Sequence, residues 1–235
     1  MLELIDVCKS YKNKEVLHNF SLKFEKGVYG LLGPNGAGKS TLMNIIADVL
    51  NPTRGEILYN GTDIHKLKGE YRIHIGYLPQ HVGYYDNFTA YTTLEYFANL
   101  RGVEKSQYSN RINEVLQLVN LQQNAKQKVK TFSGGMKQRL GIAIAMVANP
   151  EILVLDEPTV GLDPKERINF RKIIAELGKE KIIILSTHIV SDVDEIADCL
   201  IFLKEGNVVK IDSKENILKD TTIEEMYMKY FEGCE

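Results

Sequence analysis

Residues 28–40 read Val-Tyr-Gly-Leu-Leu-Gly-Pro-Asn-Gly-Ala-Gly-Lys-Ser. An apolar, strand-like run from Val28 to Leu32 leads into Gly33-Pro34-Asn35-Gly36-Ala37-Gly38-Lys39-Ser40, and Thr41 to Val49 then reads as a helix. Strand, glycine-rich loop and helix in that order are the context in which the pattern GxxxxGK[ST] carries chemistry. The glycines let the backbone curl until several N–H groups point at one phosphate. The helix N-terminus adds the positive end of its dipole. Lys39 brings a point charge to the outer phosphates, Ser40 offers a hydroxyl to Mg²⁺, and Thr41 continues the cradle. Residues 33–41 are therefore expected to bind the phosphates of a nucleotide.

Working outward, three more short apolar runs resemble the one before the loop: Ile152–Leu155 after the turn signal Asn149-Pro150, Ile182–Leu185, and Cys199–Leu203. Unbroken apolar runs of this length suit strands buried on both faces, as in a parallel sheet covered by helices. The last run continues through Lys204-Glu205-Gly206-Asn207 into Val208–Ile211, which predicts a hairpin. The first ~25 residues alternate loosely and predict strands of an antiparallel edge sheet. Between Tyr84 and Ala148 the texture changes. Thr93–Leu100, Ser109–Leu121 and Gly135–Ala148 read as helices, separated by a polar stretch rich in Gln, Asn and Lys. The expected fold is α/β: a mainly parallel sheet flanked by helices, an antiparallel N-terminal β subdomain, and an inserted α-helical subdomain. All of it forms one domain, 1–235, with 1–83 and 149–235 as core and 84–148 as helical lobe. Residues Ile223–Phe231 predict a short amphipathic helix packed on that core.

Composition narrows the function classes. The chain has 235 residues, 44% of them hydrophobic and 26% charged, which is ordinary for a globular protein. A net charge of -2 argues against a protein that grips nucleic acid by neutralising phosphates, and no direct nucleic-acid partner is expected. Cys8, Cys199 and Cys234 are far apart and without CxxC spacing, so inert thiols in a reducing compartment are expected. The longest mostly apolar stretch, Gly141–Ala148, is far too short to span a bilayer. The N-terminal residues lack a secretory pattern. A cytoplasmic chain is expected, meeting a membrane only through a partner.

A second group of residues supplies candidate chemistry. The apolar run 152–155 ends in Asp156-Glu157. Asp156 can hold Mg²⁺ through its water shell. Glu157 can accept a hydrogen bond from an attacking water and act as general base. Phe132-Ser133-Gly134-Gly135-Met136 precedes a predicted helix, where a serine cap and two glycines make a second anion-binding surface.

With these residues in order, the chain resembles the nucleotide-binding subunits of ATP-binding-cassette (ABC) transporters. Phe132–Met136 is similar to that family's signature loop, usually LSGGQ, with Phe132 in place of Leu and Met136 in place of Gln. Ser133, Gly134 and Gly135, the phosphate-contacting positions, are intact. The resemblance implies further roles. Leu78-Pro79-Gln80 matches the Q-loop, with Gln80 reaching Mg²⁺ and the attacking water. Val160-Gly161-Leu162-Asp163 matches the D-loop, with Asp163 near a dimer seam. His188 in Ser186-Thr187-His188 matches the switch histidine on the γ-phosphate. Tyr11 matches the aromatic that stacks on adenine.

The family's arrangement implies ATP and Mg²⁺ held between the phosphate loop of one subunit and the signature loop of a second, in a head-to-tail pair. It also implies separate transmembrane permease subunits, received by the helical lobe and the segment 81–89, with export of drugs, peptides or antibiotics as the expected use. The chain would then sit on the cytoplasmic face of the membrane. A soluble ABC-type ATPase acting on ribosomes or DNA is the alternative; such relatives usually carry two cassettes or long insertions. A small-molecule kinase on the same loop would leave the signature loop and switch histidine unexplained.

Overall fold

The computed structural model describes residues 1–12, 14–67 and 69–231; Cys234 lies outside them. Strands β1 (Leu2–Tyr11) and β2 (Lys14–Phe24) form an antiparallel hairpin, and β3 (Gly27–Leu32) follows. Helix α1 (Lys39–Ile46) comes after the glycine-rich loop. Strands β4 (Arg54–Tyr59) and β5 (Thr62–Asp63) are joined by Asn60-Gly61. Both of those residues have positive φ, 49° and 80°, the tight turn that Asn-Gly favours. The one-turn helix α2 (Tyr71–His74) leads into β6 (Ile75–Leu78).

Helices α3 (Ala90–Leu100), α4 (Tyr108–Leu118) and α5 (Gly134–Met146) occupy the middle of the chain. Three elements then alternate: β7 (Ile152–Asp156), α6 (Pro164–Gly178) and β8 (Ile182–Thr187). Helix α7 (Val190–Asp194) precedes the hairpin of β9 (Cys199–Lys204) and β10 (Asn207–Ser213). Helices α8 (Lys214–Asp220) and α9 (Ile223–Phe231) close the described chain.

The strands form two sheets. One is antiparallel, in the order β2-β1-β4-β5. The other runs β10-β9-β3-β8-β7-β6, parallel throughout except for β10. Its central strands divide their side chains between two cores, as the two-residue period of a strand requires. Ile152 and Val154 of β7, with Ile182 and Ile184 of β8, face a core shared with the antiparallel sheet and α1. Leu153, Leu155, Ile183 and Leu185 face a core built with α3 to α7 and α9. Burial on both faces is why these runs are continuously apolar.

The α/β class and the two-sheet arrangement are as expected. The element bounds move by a few residues: α1 starts at Lys39, α4 ends at Leu118, and α5 ends at Met146 rather than Ala148. Strands β4 to β6 and helices α2, α6, α7 and α8 are additions that the sequence reading did not make. The polar stretch between α4 and α5 contains two 3-10 turns, Gln122–Asn124 and Val129–Thr131. No helix among the described residues is long and apolar enough to cross a membrane.

Candidate functional site

The carboxyl ends of β3, β6 and β7 meet α1 at a cleft of about 340 Å³. This is where an open parallel sheet presents ligand sites, because the loops there diverge and helix N-termini point inward. Its lining gathers Asn35, Gly36, Ala37, Gly38, Lys39, Ser40 and Thr41 from the loop and α1, Gln80 beyond β6, Asp156 and Glu157 at the end of β7, and Val16 of β2.

The loop geometry follows from its residue types. Gly38 caps α1 with φ 104°, a left-handed conformation that an L side chain rarely adopts. A Cβ there would also lie 2.8 Å from the Val16 carbonyl oxygen. The first turn of α1 receives no side-chain cap, so its N–H groups remain available to an anion. Lys39 is only 7% exposed. Its Nζ donates to the carbonyl oxygens of Gly33 at 2.6 Å and Pro34 at 3.1 Å. Burial pushes the Lys39 ammonium below its ordinary pKa, and the carboxylates of Glu157 and Asp156 pull it part of the way back.

At the end of β7 the two carboxylates take different environments. Ser186 of β8 donates its hydroxyl to Asp156 Oδ1 at 2.5 Å, fixing that carboxylate at the strand end. Glu157 is buried and has φ 50°, uncommon for a residue with a side chain. Its N–H donates to Ser186 Oγ at 3.0 Å and to the Ser186 carbonyl at 3.2 Å, so β8 holds the unusual backbone in place. The turn carries the Glu157 carboxyl back to the cleft, where Oε2 lies 2.9 Å from Nδ1 of the exposed His188. Gln138 of α5 donates Nε2 to the Pro158 carbonyl at 3.0 Å, tying the middle of the chain to the same turn.

The other named residues lie outside the cleft lining. Tyr11 is exposed at the end of β1, with Lys9 Nζ 5.2 Å from its ring centroid. Ser133 is the N-cap of α5: it and Gly134 are exposed, and Ser133 Oγ accepts from Met136 N–H at 3.2 Å. Gly135 is buried, and a Cβ there would sit 2.7 Å from Glu166 Oε2. Asp163, also exposed, caps α6 by accepting from Glu166 N–H at 2.8 Å. The sequence reading missed Ser186, Gln138 and Tyr84, whose hydroxyl donates to the Lys137 carbonyl at 2.6 Å. Only their partners distinguish them from ordinary polar residues. The oxygen-only set of Ser40, Gln80 and Asp156 suits a hard cation. Among the described residues no cluster of three His, Cys, Asp or Glu could hold a metal ion.

Comparison with known proteins identifies the family. The ABC transporter family matches residues 17–160. The lantibiotic transport ATP-binding protein SrtF of Streptococcus pyogenes is 38% identical over 227 residues, covering 92% of this chain and 94% of that protein. A solved ATP-binding subunit of an ABC transporter superposes with a TM-score of 0.89 at 28% identity, covering 97% of this chain and 98% of the other. The dimeric post-hydrolysis state of the ATP-binding cassette MJ0796, bound to ADP and Pi, superposes with a TM-score of 0.83 at 27% identity, covering 91% and 99%. The chain belongs to the ABC transporter family, as an ATP-binding subunit that hydrolyses ATP.

Proposed function

We propose that this subunit powers export of a peptide-like or antibiotic substrate through separate membrane subunits, using ATP clamped between two copies of the chain or a related one. The observation that carries the reading is the position of α5's N-terminus. It presents Ser133 and Gly134 to solvent, outside the cleft that gathers the other phosphate-binding residues. An anion-binding helix end with no anion site of its own chain fits a site completed by a partner. The dimeric MJ0796 cassette and the lantibiotic transport relative support the pairing and the substrate class respectively.

In this reading residues Gly33 to Thr41 wrap the phosphates, with Lys39 on the outer ones, and Tyr11 stacks on the adenine. Ser40, Asp156 and Gln80 would hold Mg²⁺, which would neutralise charge on the phosphates. Glu157 takes a proton from water as its oxygen bonds to the γ-phosphorus and the bond to the β-phosphate oxygen breaks. His188, paired with Glu157 in this structure, turns to the γ-phosphate. The partner's Ser133, Gly134 and Gly135 close the other side, and Asp163 lies at the seam. Residues 1–83 and 149–235 act as the core and 84–148 as the lobe that contacts the permease. The rings of Tyr85, Phe88, Tyr96 and Phe97 stand 5.0–6.3 Å apart in that lobe, and Tyr85 and Tyr96 are exposed. An exposed aromatic cluster of this kind is a docking surface. Through the permease the subunit sits on the cytoplasmic face of the membrane.

Reconstituting the subunit in vesicles with a membrane protein that co-purifies with it tests the whole proposal. ATP should drive movement of a peptide antibiotic, and Glu157→Gln should stop it. Stable association with ribosomes, without a membrane partner, would favour the soluble alternative.

A further inference from the structure

Beyond the cleft, Thr159 and Asp192 form a buried pair. Thr159 is two residues past Glu157, and Asp192 lies on α7, four residues past His188. They are 1% and 2% exposed. Thr159 Oγ1 donates to Asp192 Oδ2 at 2.5 Å, while Asp192 Oδ1 is buried without a hydrogen-bond partner. A buried carboxyl with half its acceptor capacity unfilled is costly, and an apolar pair would fill the space more cheaply.

The rest of α7 is also held in place. Val193 is buried against β3, where a Cβ on Gly30 would come within 3.0 Å of it. Arg171 of α6 donates Nη1 to the Ser191 carbonyl at 3.2 Å and sets Nε 3.1 Å from Glu195 Oε2. Two side-chain ties therefore join the 157–159 turn to the segment from His188 to Asp192. One is Glu157 with His188, at the cleft. The other is Thr159 with Asp192, away from it. The first must open when both groups turn to nucleotide and water. The second has no such task.

We infer that Thr159 and Asp192 are positioning residues for hydrolysis: their buried bond keeps the segments carrying Glu157 and His188 at a fixed spacing while those two side chains release each other. The inference rests on the roles proposed above for Glu157 and His188. The pair acts on turnover and leaves nucleotide binding at the loop unchanged.

The test is steady-state ATP hydrolysis by the purified chain, with ATP affinity measured in parallel by calorimetry. Thr159→Val keeps the shape and removes the donor; kcat should fall about tenfold, a barrier change of about 1.4 kcal/mol, with KM and affinity within twofold. Thr159→Ser should return kcat to within threefold of the parent. In a His188→Ala background, Thr159→Val should cost less than a further twofold, because the geometry it protects is already gone. Wild-type kcat in Thr159→Val, or the same loss with His188 absent, would overturn the proposal. Should the valine variant not fold, Asp192→Asn keeps an acceptor for Thr159 and should retain kcat within threefold, whereas Asp192→Ala loses about tenfold; equal losses overturn it. Wild-type turnover by Glu157→Gln or His188→Ala would instead reject the catalytic assignments themselves.

Discussion

Glu157 is the residue on which the proposed chemistry turns. Its φ of 50° costs backbone energy, which two bonds from its N–H to Ser186 offset, and the result is a buried carboxyl turned back beside His188. Glu157→Gln keeps the shape and removes the proposed base. ATP affinity by calorimetry should stay within about threefold while turnover falls by at least about a hundredfold, the lower end of what a positioned base contributes. Lys39 makes the complementary prediction. Its ammonium is held by two carbonyl oxygens in a desolvated pocket, so Lys39→Ala removes the cleft's buried cation without exposing apolar core. ATP affinity should fall by about a hundredfold, roughly two charge-assisted hydrogen bonds, and unchanged binding heat would refute the assignment. Lys39, Asp156 and Glu157 were legible in the sequence because a glycine-rich loop and a carboxylate pair each follow an apolar run. Ser186, which holds both carboxylate residues, was not legible as such: a serine next to last in a strand carries no pattern, and only the register of β7 on β8 puts it beside Asp156.

At the scale of elements, the core strands were readable because β3, β7, β8 and β9 bury both faces. Strands β4 and β6 were not. Arg-Gly-Glu-Ile-Leu-Tyr and Ile-Gly-Tyr-Leu are short and interrupted by glycine, and their extended form comes from pairing with β1 and β7. Helix α6 does carry start signals, Asp163 as cap and Pro164 in the first turn, but its apolar stripe is sparse. The N-terminus of α5 makes a prediction at this scale. Ser133→Ala removes the hydroxyl that caps Met136 N–H and should cost about 1 kcal/mol of stability in thermal or urea unfolding. If the partner-completed site is right, the same substitution also weakens ATP-dependent pairing, while monomer affinity for nucleotide stays unchanged. Gly135 has a tighter constraint. A methyl there would press on Glu166, whose Oε1 already pairs with Arg139 at 2.9 Å, so Gly135→Ala should loosen the contact of α5 with α6.

At the scale of the whole molecule, two separate tasks are proposed: nucleotide bridging for the cleft and a partner's α5 end, and permease docking for the aromatic cluster around Tyr85 and Tyr96. They should be separable. Replacing Tyr85 and Tyr96 with alanine should leave ATP affinity of the isolated chain within twofold, yet reduce recovery of the membrane partner in co-purification. Retention of the full complex would reject that surface. The central claim is that nucleotide bridges two chains. Gly134 offers the cleanest handle on it, since a Cβ there meets nothing within 4 Å and an acidic residue suits a helix's first turn. The decisive measurement is sedimentation of Glu157→Gln with ATP, with and without Gly134→Asp. The account predicts an ATP-dependent dimer for the single variant, and for the double variant a monomer that still binds ATP. A dimer of equal strength in both would contradict it.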